Sequence, residues 1–580
     1  MKNVIKIFKK YTFIALITII LTGTSAILNL YLPNYMSQII NKGIITKDIN
    51  FIYKIALNMV FIVLLSLFLS LISHLTSAKI ATSYAKDLRK EVFNKVIKFS
   101  LPEFDSFSIA SLITRNTNDI NQIQQFTIMM MRMVIRAPIL AIGGAFMAFS
   151  LNSQISSILF ISIPVLIAGI FLLIKKTMPL FKDLQNKIDK INLIVRENLL
   201  GIRVIRAFNK EDYETSRFSN ANLDFTKTAK KLYRINALIF PLMTFVMSFT
   251  TISVIFYGAF LIDKNKFNLG NLMAVMQYVM QILFSFAMIS FIFTFLPRAL
   301  TSINRIEEIL IKNNSILNKK ETKSINLISK NKNIIFENVS FYYPASKEPV
   351  LIDINFEIPE GKTTAIIGNT GSGKSTLILL LLRLYDVSSG SIKIGNIDIR
   401  DINQEELHNL FGYAPSKPII FNDTIFENIR YGRNIEEKDV LEAARISEVL
   451  EFVGNKPEGI NTIVAQNGTD LSGGQKQRIS IARAIAEKKP FYIFDDTFSA
   501  LDFKTDSKIR KEISEIYKDS TNIIISQRIT TIMNSHQIIV LHDGKISGIG
   551  THQSLLRDCD VYQQFVQSQL SEKEIKEFIK

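Results

Sequence analysis

At 580 residues the chain exceeds what one hydrophobic core organises, so two or three modules are expected. Hydrophobic residues make up 48% of it and gather in the first half, which excludes a uniformly soluble protein and separates a membrane half from a soluble half. The net charge of +17 is spread among Ile and Asn, with no basic helix and no aromatic-basic interleaving, so it makes no case for a nucleic-acid partner.

The amino end places Lys2, Lys6, Lys9 and Lys10 before an uncharged run over 11–41. That run is too long for a signal peptide and lacks a small-residue cleavage site, so it reads as a retained span. Further uncharged stretches at 55–78, 137–174, 235–262 and 267–297 are long enough to cross a bilayer, and the polar patch Asn152-Ser153-Gln154 divides the second of these. Six spans are expected, near 11–33, 53–75, 134–151, 155–175, 238–262 and 272–296, within a helical membrane domain over 1–310. The segments 76–133 and 176–237 are long and rich in Lys and Arg, whereas the other loops are short. The positive-inside rule therefore puts both termini and these segments in the cytoplasm of a multi-pass plasma-membrane protein. Paired helices of about 25 residues would carry each segment some 35 Å beyond the bilayer. Arg132, Arg136 and His74 fall at span edges and read as snorkelling or helix-end groups, and Met129, Met130, Met131 and Met133 as ordinary packing.

Residues 311–333 lack apolar periodicity and read as a linker. From 334 to 580, strand-like runs alternate with helical ones, as an α/β P-loop nucleotide domain requires. Gly368-Asn369-Thr370-Gly371-Ser372-Gly373-Lys374-Ser375 fits GxxxxGK(S/T), follows the apolar run 364–367 and opens the helical run 376–384. Its glycines let backbone N–H groups and a helix amino end face phosphate oxygens, Lys374 neutralises the β and γ phosphates, and Ser375 ligates Mg2+. Asp495 closes the apolar run 491–494, the place of a second Mg2+-supporting carboxylate. Leu471 leads into Ser472-Gly473-Gly474-Gln475 and a helical run, a second phosphate receptor. The single cysteine, Cys559, excludes an internal disulfide.

The phosphate loop, LSGGQ, Asp495, the stretch Ser499-Ala500-Leu501-Asp502 and the six preceding spans resemble ABC transporters of the exporter type over nearly the whole chain. The resemblance implies ATP and Mg2+ as cofactors, with Tyr343 stacking on adenine and Thr376 completing the loop. It implies two nucleotide domains paired head to tail, each ATP between one phosphate loop and the other chain's LSGGQ. Ser499 and Asp502 then fall in the loop at that interface, and coupling helices are expected near 104–112 and 209–218.

Three positions depart from the family's pattern. Asp496 stands where a water-polarising Glu is usual, Gln527 where the switch-loop His is usual, and Ser416 where a Gln is usual. Asp is a base but is shorter by one methylene, Gln cannot become cationic near neutral pH, and Ser reaches a metal only through water. Beside an intact phosphate loop and LSGGQ, the three together imply a degenerate site in a heterodimeric multidrug-type exporter, whose partner half brings the complete catalytic set. The spans contain no acidic residue, which points to apolar or amphipathic cargo such as drugs, lipids or peptides. The alternatives are a nucleotide-sensing regulatory membrane subunit and an exporter-like importer of metal chelates.

Overall fold

The computed structural model describes residues 1–319, 332–344 and 346–570. They form two units: Met1–Lys98 with Phe107–Lys312, and Phe99–Ser106 with Asn313–Lys580.

The first unit is helical, with six helices long and apolar enough to cross a membrane: Lys2–Ile44, Ile49–Ile97, Ile109–Leu151, Ser153–Leu200, Glu211–Asp263 and a last one whose apolar part is Leu269–Ile289. The expected division of the third uncharged stretch is realised at Asn152. Its backbone is extended (φ −164°, ψ 117°) and its side chain accepts from Ile155 N, ending one helix and capping the next. Asp48 caps the second helix through Phe51 N. That helix runs unbroken for 49 residues, about 73 Å at 1.5 Å per residue, so it extends well past a hydrocarbon core.

The unit buries small hydroxyl side chains beside an apolar core that includes Leu140, Leu166, Tyr278 and Ile282, and its outer surface is apolar. Thr22 and Ser73 share a hydrogen bond of 2.6 Å, Thr18 donates to Thr76 at 2.9 Å, and Ser25 meets Ser66 at 3.1 Å, all between the first two helices. Phe240 and Phe256, by contrast, are 78% and 79% exposed. Small hydroxyl residues let the helices approach and pair, while hydrocarbon chains take the place of a core outside. His74 is exposed at the span edge, as expected, while Arg132 and Arg136 are half-buried and, with His74, border a partly open cavity.

Of the expected coupling elements, 104–112 is divided between two short helices, Leu101–Asp105 and Ile109–Thr114. The second expectation, 209–218, is corrected: a short helix lies earlier, at Ile202–Ala207, and Glu211 begins the long fifth helix. Asn209 breaks the path with φ 50°, and Glu211, Asp212 and Glu214 favour a helix amino end there. The expected linker falls on 320–331 for the most part, outside the described residues.

The second unit holds two sheets. One is antiparallel, built from β1 (Ile334–Phe341), β2 (Leu351–Ile358), β4 (Ser389–Ile394) and β5 (Ile397–Asp398) in the order β2-β1-β4-β5. The other contains β3 (Thr363–Gly368), β6 (Phe411–Ala414), β7 (Phe491–Asp495), β8 (Thr521–Ile525), β9 (Gln537–His542) and β10 (Lys545–Gly550), in the order β10-β9-β3-β8-β7-β6. All its pairs are parallel except β10 with β9. The middle strands β7 and β8 are buried along their whole length, as strands covered on both faces must be. One core includes Ala365, Ile367, Phe494 and Ile524, and the other Ile366, Ile493, Ile523 and Ile525, so alternate residues of one strand serve opposite faces. In such a sheet, ligands bind beyond the carboxyl ends of the strands.

Candidate nucleotide site

Four neighbouring strands, β3, β8, β7 and β6, end on the motifs singled out from the sequence. Beyond β3 comes the phosphate loop, beyond β8 Gln527, at the end of β7 Asp495 and Asp496, and beyond β6 Ser416.

The loop's shape depends on glycine at two places. A Cβ on Gly368 would lie 2.2 Å from the Leu541 carbonyl, and Gly373 has φ +99° with Leu351 at 2.6 Å from any added Cβ. The chain therefore turns tightly into the helix Lys374–Leu381, whose first N–H groups face outward from the turn. Lys374 is buried and folds back on the loop, donating Nζ to the carbonyls of Gly368 and Asn369 at 2.8 and 2.7 Å. An ammonium has three donors, so one remains for a phosphate oxygen. Asn369, Thr370, Gly371 and Ser375 form the exposed lip, and the Ser372 hydroxyl is buried with no hydrogen-bond partner. An orphaned hydroxyl inside a loop of outward N–H groups fits an oxyanion.

Ser375 Oγ donates to Asp495 Oδ1 at 3.2 Å. A hydroxyl and a carboxylate are hard oxygen donors suited to Mg2+, and these two would hold it. Asp495 is only 3% exposed, and burial, with the charge of Asp496 beside it, raises its pKa against the pull of Ser375 and Lys374. Burial lowers the pKa of Lys374, opposed by Asp496 and Asp495. Asp496 is half-buried in the left-handed region, φ 49°, with its amide donating to Ile525 O at 2.9 Å. Burial raises its pKa as well, and Ser499, Lys374 and Arg528 oppose the rise. Its Oδ1 is buried with no hydrogen-bond partner.

Ser416 and Gln527 are both exposed, but their backbones are held. Gln477 Nε2 donates to Ser416 O at 2.8 Å, and Gln569 Nε2 donates to Gln527 O at 2.7 Å while Gln569 Oε1 accepts from Ile529 N at 2.9 Å. Arg528 donates to Leu501 O at 3.2 Å and to Ser499 O, joining the switch segment to the stretch that holds Ser499 and Asp502. Ser499 Oγ donates to Asp496 O at 2.8 Å. Asp502 caps the helix Phe503–Ile516 through Thr505 N, a bond that holds its carboxyl below the usual range.

Tyr343 is partly buried; its hydroxyl lies 3.1 Å from Thr376 Oγ1 and its ring meets Phe341 and Tyr385 edge-on at 5.0 and 5.3 Å. Tyr385 in turn donates to Asp105 of the short helix Leu101–Asp105. Ser472 caps the helix Gly473–Ile485 in a capping box: its Oγ accepts from Gln475 N at 3.3 Å, and Gln475 Oε1 accepts from Ser472 N at 2.9 Å. A Cβ on Gly473 would meet nothing within 4 Å, so this helix end is open. Among the described residues, the side-chain hydrogen bonds of Ser472 and Gln475 are to each other and not to the phosphate loop. Sequence spacing gave no sign of Gln569, Arg528, Gln477 or Tyr385, whose roles come from distant chain brought together by the sheet.

Residues 13–286 match the family model for the ABC transporter transmembrane region, and 351–499 the one for ABC transporters. An uncharacterized ABC transporter ATP-binding protein of Mycobacterium tuberculosis is 34% identical over 94% of both chains. YfiB of Bacillus subtilis, named as the same kind of protein, is 33% identical over 98% of both. The ATP-dependent lipid A-core flippase of Syntrophus aciditrophicus is 31% identical over 85% of this chain and 81% of its own. Among solved structures, a bacterial Atm1-family ABC exporter with ATP bound superimposes with a TM-score of 0.80 at 22% identity, covering 97% of this chain and 99% of that one.

Proposed function

The chain belongs to the ABC transporters, as an exporter half-transporter with fused membrane and ATPase domains, and on that premise we propose that it is the slowly hydrolysing half of a heterodimer. It is a multi-pass inner-membrane protein with its ATPase domain in the cytoplasm, and half-transporters of this family work in pairs.

The observation that carries the reading is the pairing of a complete phosphate loop with Asp496. Lys374, the loop amides and Ser372 are set to bind and orient the phosphates, and Tyr343 would stack on adenine. Ser375 and Asp495 would hold Mg2+, which when bound offsets phosphate charge. At the base position, burial makes Asp496 a stronger proton acceptor, but its reach ends one methylene short, and base catalysis depends on hydrogen-bond geometry before pKa. Gln527 can donate its amide to a phosphate oxygen without supplying positive charge, and Ser416 is too short to touch the water beside it.

The site thus favours holding ATP over cleaving it. The open end formed by Ser472, Gly473, Gly474 and Gln475 serves the partner's ATP, where a Glu and a His complete the chemistry. The segment Phe99–Ser106, which follows the second span in sequence, packs in the ATPase unit through Tyr385 and the partly buried Leu101, and would carry closure of the nucleotide domains to the spans. The cargo is apolar or amphipathic.

The test is ATPase and vesicle transport by this chain alone, by its pair with a Glu-bearing half, and by that pair after the partner's Glu is changed to Gln. Slow turnover alone, fast turnover in the pair and collapse in the last arm are expected. Brisk hydrolysis by the lone chain overturns the proposal.

A further inference from the structure

His74, Arg132 and Arg136 sit near the cytoplasmic ends of the second and third spans, where long cationic side chains ordinarily reach for water. Here the two arginines are half-buried and His74 is exposed, and together with Thr22, Ser25 and Ser73 they line a partly open cavity of about 190 Å³. That is space for about six waters at about 30 Å³ each, or for one small anionic group.

Among the described residues, the two arginines of this cavity have no counter-charge. Arg132 donates Nε to Ser77 Oγ at 2.9 Å and Nη2 to His74 O at 3.0 Å, both neutral acceptors. The Nε of Arg136 is buried with no hydrogen-bond partner. Among the described residues, neither arginine pairs with a carboxylate, and the sequence has no acid between Asp48 and Asp87 or between Asp119 and Asp183. The nearest acids along these helices are engaged elsewhere: Asp87 with Lys10 at 2.9 Å, and Asp119 with Ser302 at 2.8 Å and Arg305 at 3.8 Å. His74 Nδ1 lies 2.6 Å from Ser70 O, leaving Nε2 as its other polar group. Arg132 also lies in a π-helical turn, Met130–Val134, an irregularity that recurs at functional sites because it redirects side chains. Two guanidinium groups held inside a span without an acid are costly, and such groups mark substrate pathways.

We propose that Arg132 and Arg136, with His74, form the head-group end of the cargo site, and that the cargo is an amphipath carrying a phosphate or carboxylate. The inference rests on the exporter reading and narrows its cargo. An apolar tail finds matching surface in the same unit, where Met243, Met247, Met273, Met276, Met280 and Phe284 line a groove on the last two spans. Unbranched methionine side chains adapt to tails of varied shape. The anion supplies the charge-assisted hydrogen bonds that Arg136 lacks within the protein.

The experiment measures binding without ATP, using the full chain in phosphatidylcholine nanodiscs and radiolabelled dodecyl phosphate as probe. Saturable binding, competed by dodecanoate and not by neutral dodecanol, is expected. Arg136→Gln should weaken it by at least about tenfold and Arg136→Lys should largely retain it. Because Arg136 Nε has no internal partner, R136Q should melt no lower than the parent, which separates lost binding from lost folding. Equal affinity of R136Q and parent overturns the inference and leaves the export reading standing. Competition by inorganic phosphate as strong as that by dodecyl phosphate overturns the amphipath and leaves a free-anion site. Arginine-dependent binding with no ATP-driven movement by the assembled pair overturns export and keeps the anion site.

Discussion

Replacing Asp496 by Glu tests the degenerate site directly. The added methylene extends the carboxylate by about 1.5 Å, one carbon–carbon bond. A well-placed general base contributes roughly 10²–10⁴ in rate, but here Gln527 and Ser416 still lack the charge and reach that complete the site. A gain of about tenfold is therefore expected from D496E alone, and about a hundredfold or more from D496E, Q527H and S416Q together. The substitution also has a structural cost. Asp496 adopts φ 49°, which a short polar side chain tolerates better than a longer one, so D496E should lose about 1 kcal/mol. For a unit of this size that is about 2–4 °C in melting temperature. The assay is phosphate release by the heterodimer whose partner carries Glu→Gln, so that the remaining turnover comes from this chain's site. If the triple variant folds, binds ATP as the parent does and releases phosphate no faster, the reasoning from these three positions fails.

Tyr385→Phe removes the hydrogen bond to Asp105 and should destabilise the ATPase unit by about 1 kcal/mol while reducing the stimulation of ATPase by cargo; unchanged stimulation would remove Phe99–Ser106 from the coupling path. Gln569→Ala deletes both bonds that hold the switch backbone, so amide exchange at Ile529 should quicken without a change at β7. Gly474→Asp should leave ATP binding by this chain intact and halt hydrolysis by the pair, as an open signature for the partner's nucleotide requires; loss of this chain's own binding would count against that assignment. Burial raises the pKa of both Asp495 and Asp496, so the folded chain binds protons more tightly than the unfolded one, and stability should rise as pH falls through the folded pKa values. Melting nucleotide-free parent and D495N/D496N at pH 7.5 and 5.5 should show the parent gaining relative to the double variant as pH falls, and parallel changes would refute the assignment.

The spans were legible because each is an uncharged stretch of sufficient length, and Asn152 marked the turn between two of them because it prefers to cap a helix. The phosphate loop, Asp495 and Ser472 were legible because their chemistry depends on local spacing. Gln569 and Arg528 were not: Gln569 reaches the switch segment from 40 positions away, and Arg528, inside that segment, reaches Leu501 27 positions away, both through the order of strands. The direction of Arg136 was also hidden: span-edge position favours snorkelling, and only helix packing and the π-turn turn such a side chain inward. Residues 209–218 misled because their polarity suits a surface helix, while the acidic first turn at Glu211 made them the start of a longer one.

The hydroxyl of Tyr385 and the carboxylate of Asp105 are 280 positions apart in the chain. At roughly 5–20 residues per second of synthesis, the short helix around Leu101 leaves the ribosome about 15–60 s before its binding surface exists. The ATPase unit is therefore not made in one piece: its earliest part is translated directly after the first two spans, and its core closes only near the end of synthesis. A soluble fragment starting at 334 would fold without Leu101 and Asp105 and would present their vacated apolar and polar seats to solvent. Supplying 99–106 as a separate peptide should raise that fragment's melting temperature, making biogenesis of the two halves a single, ordered event.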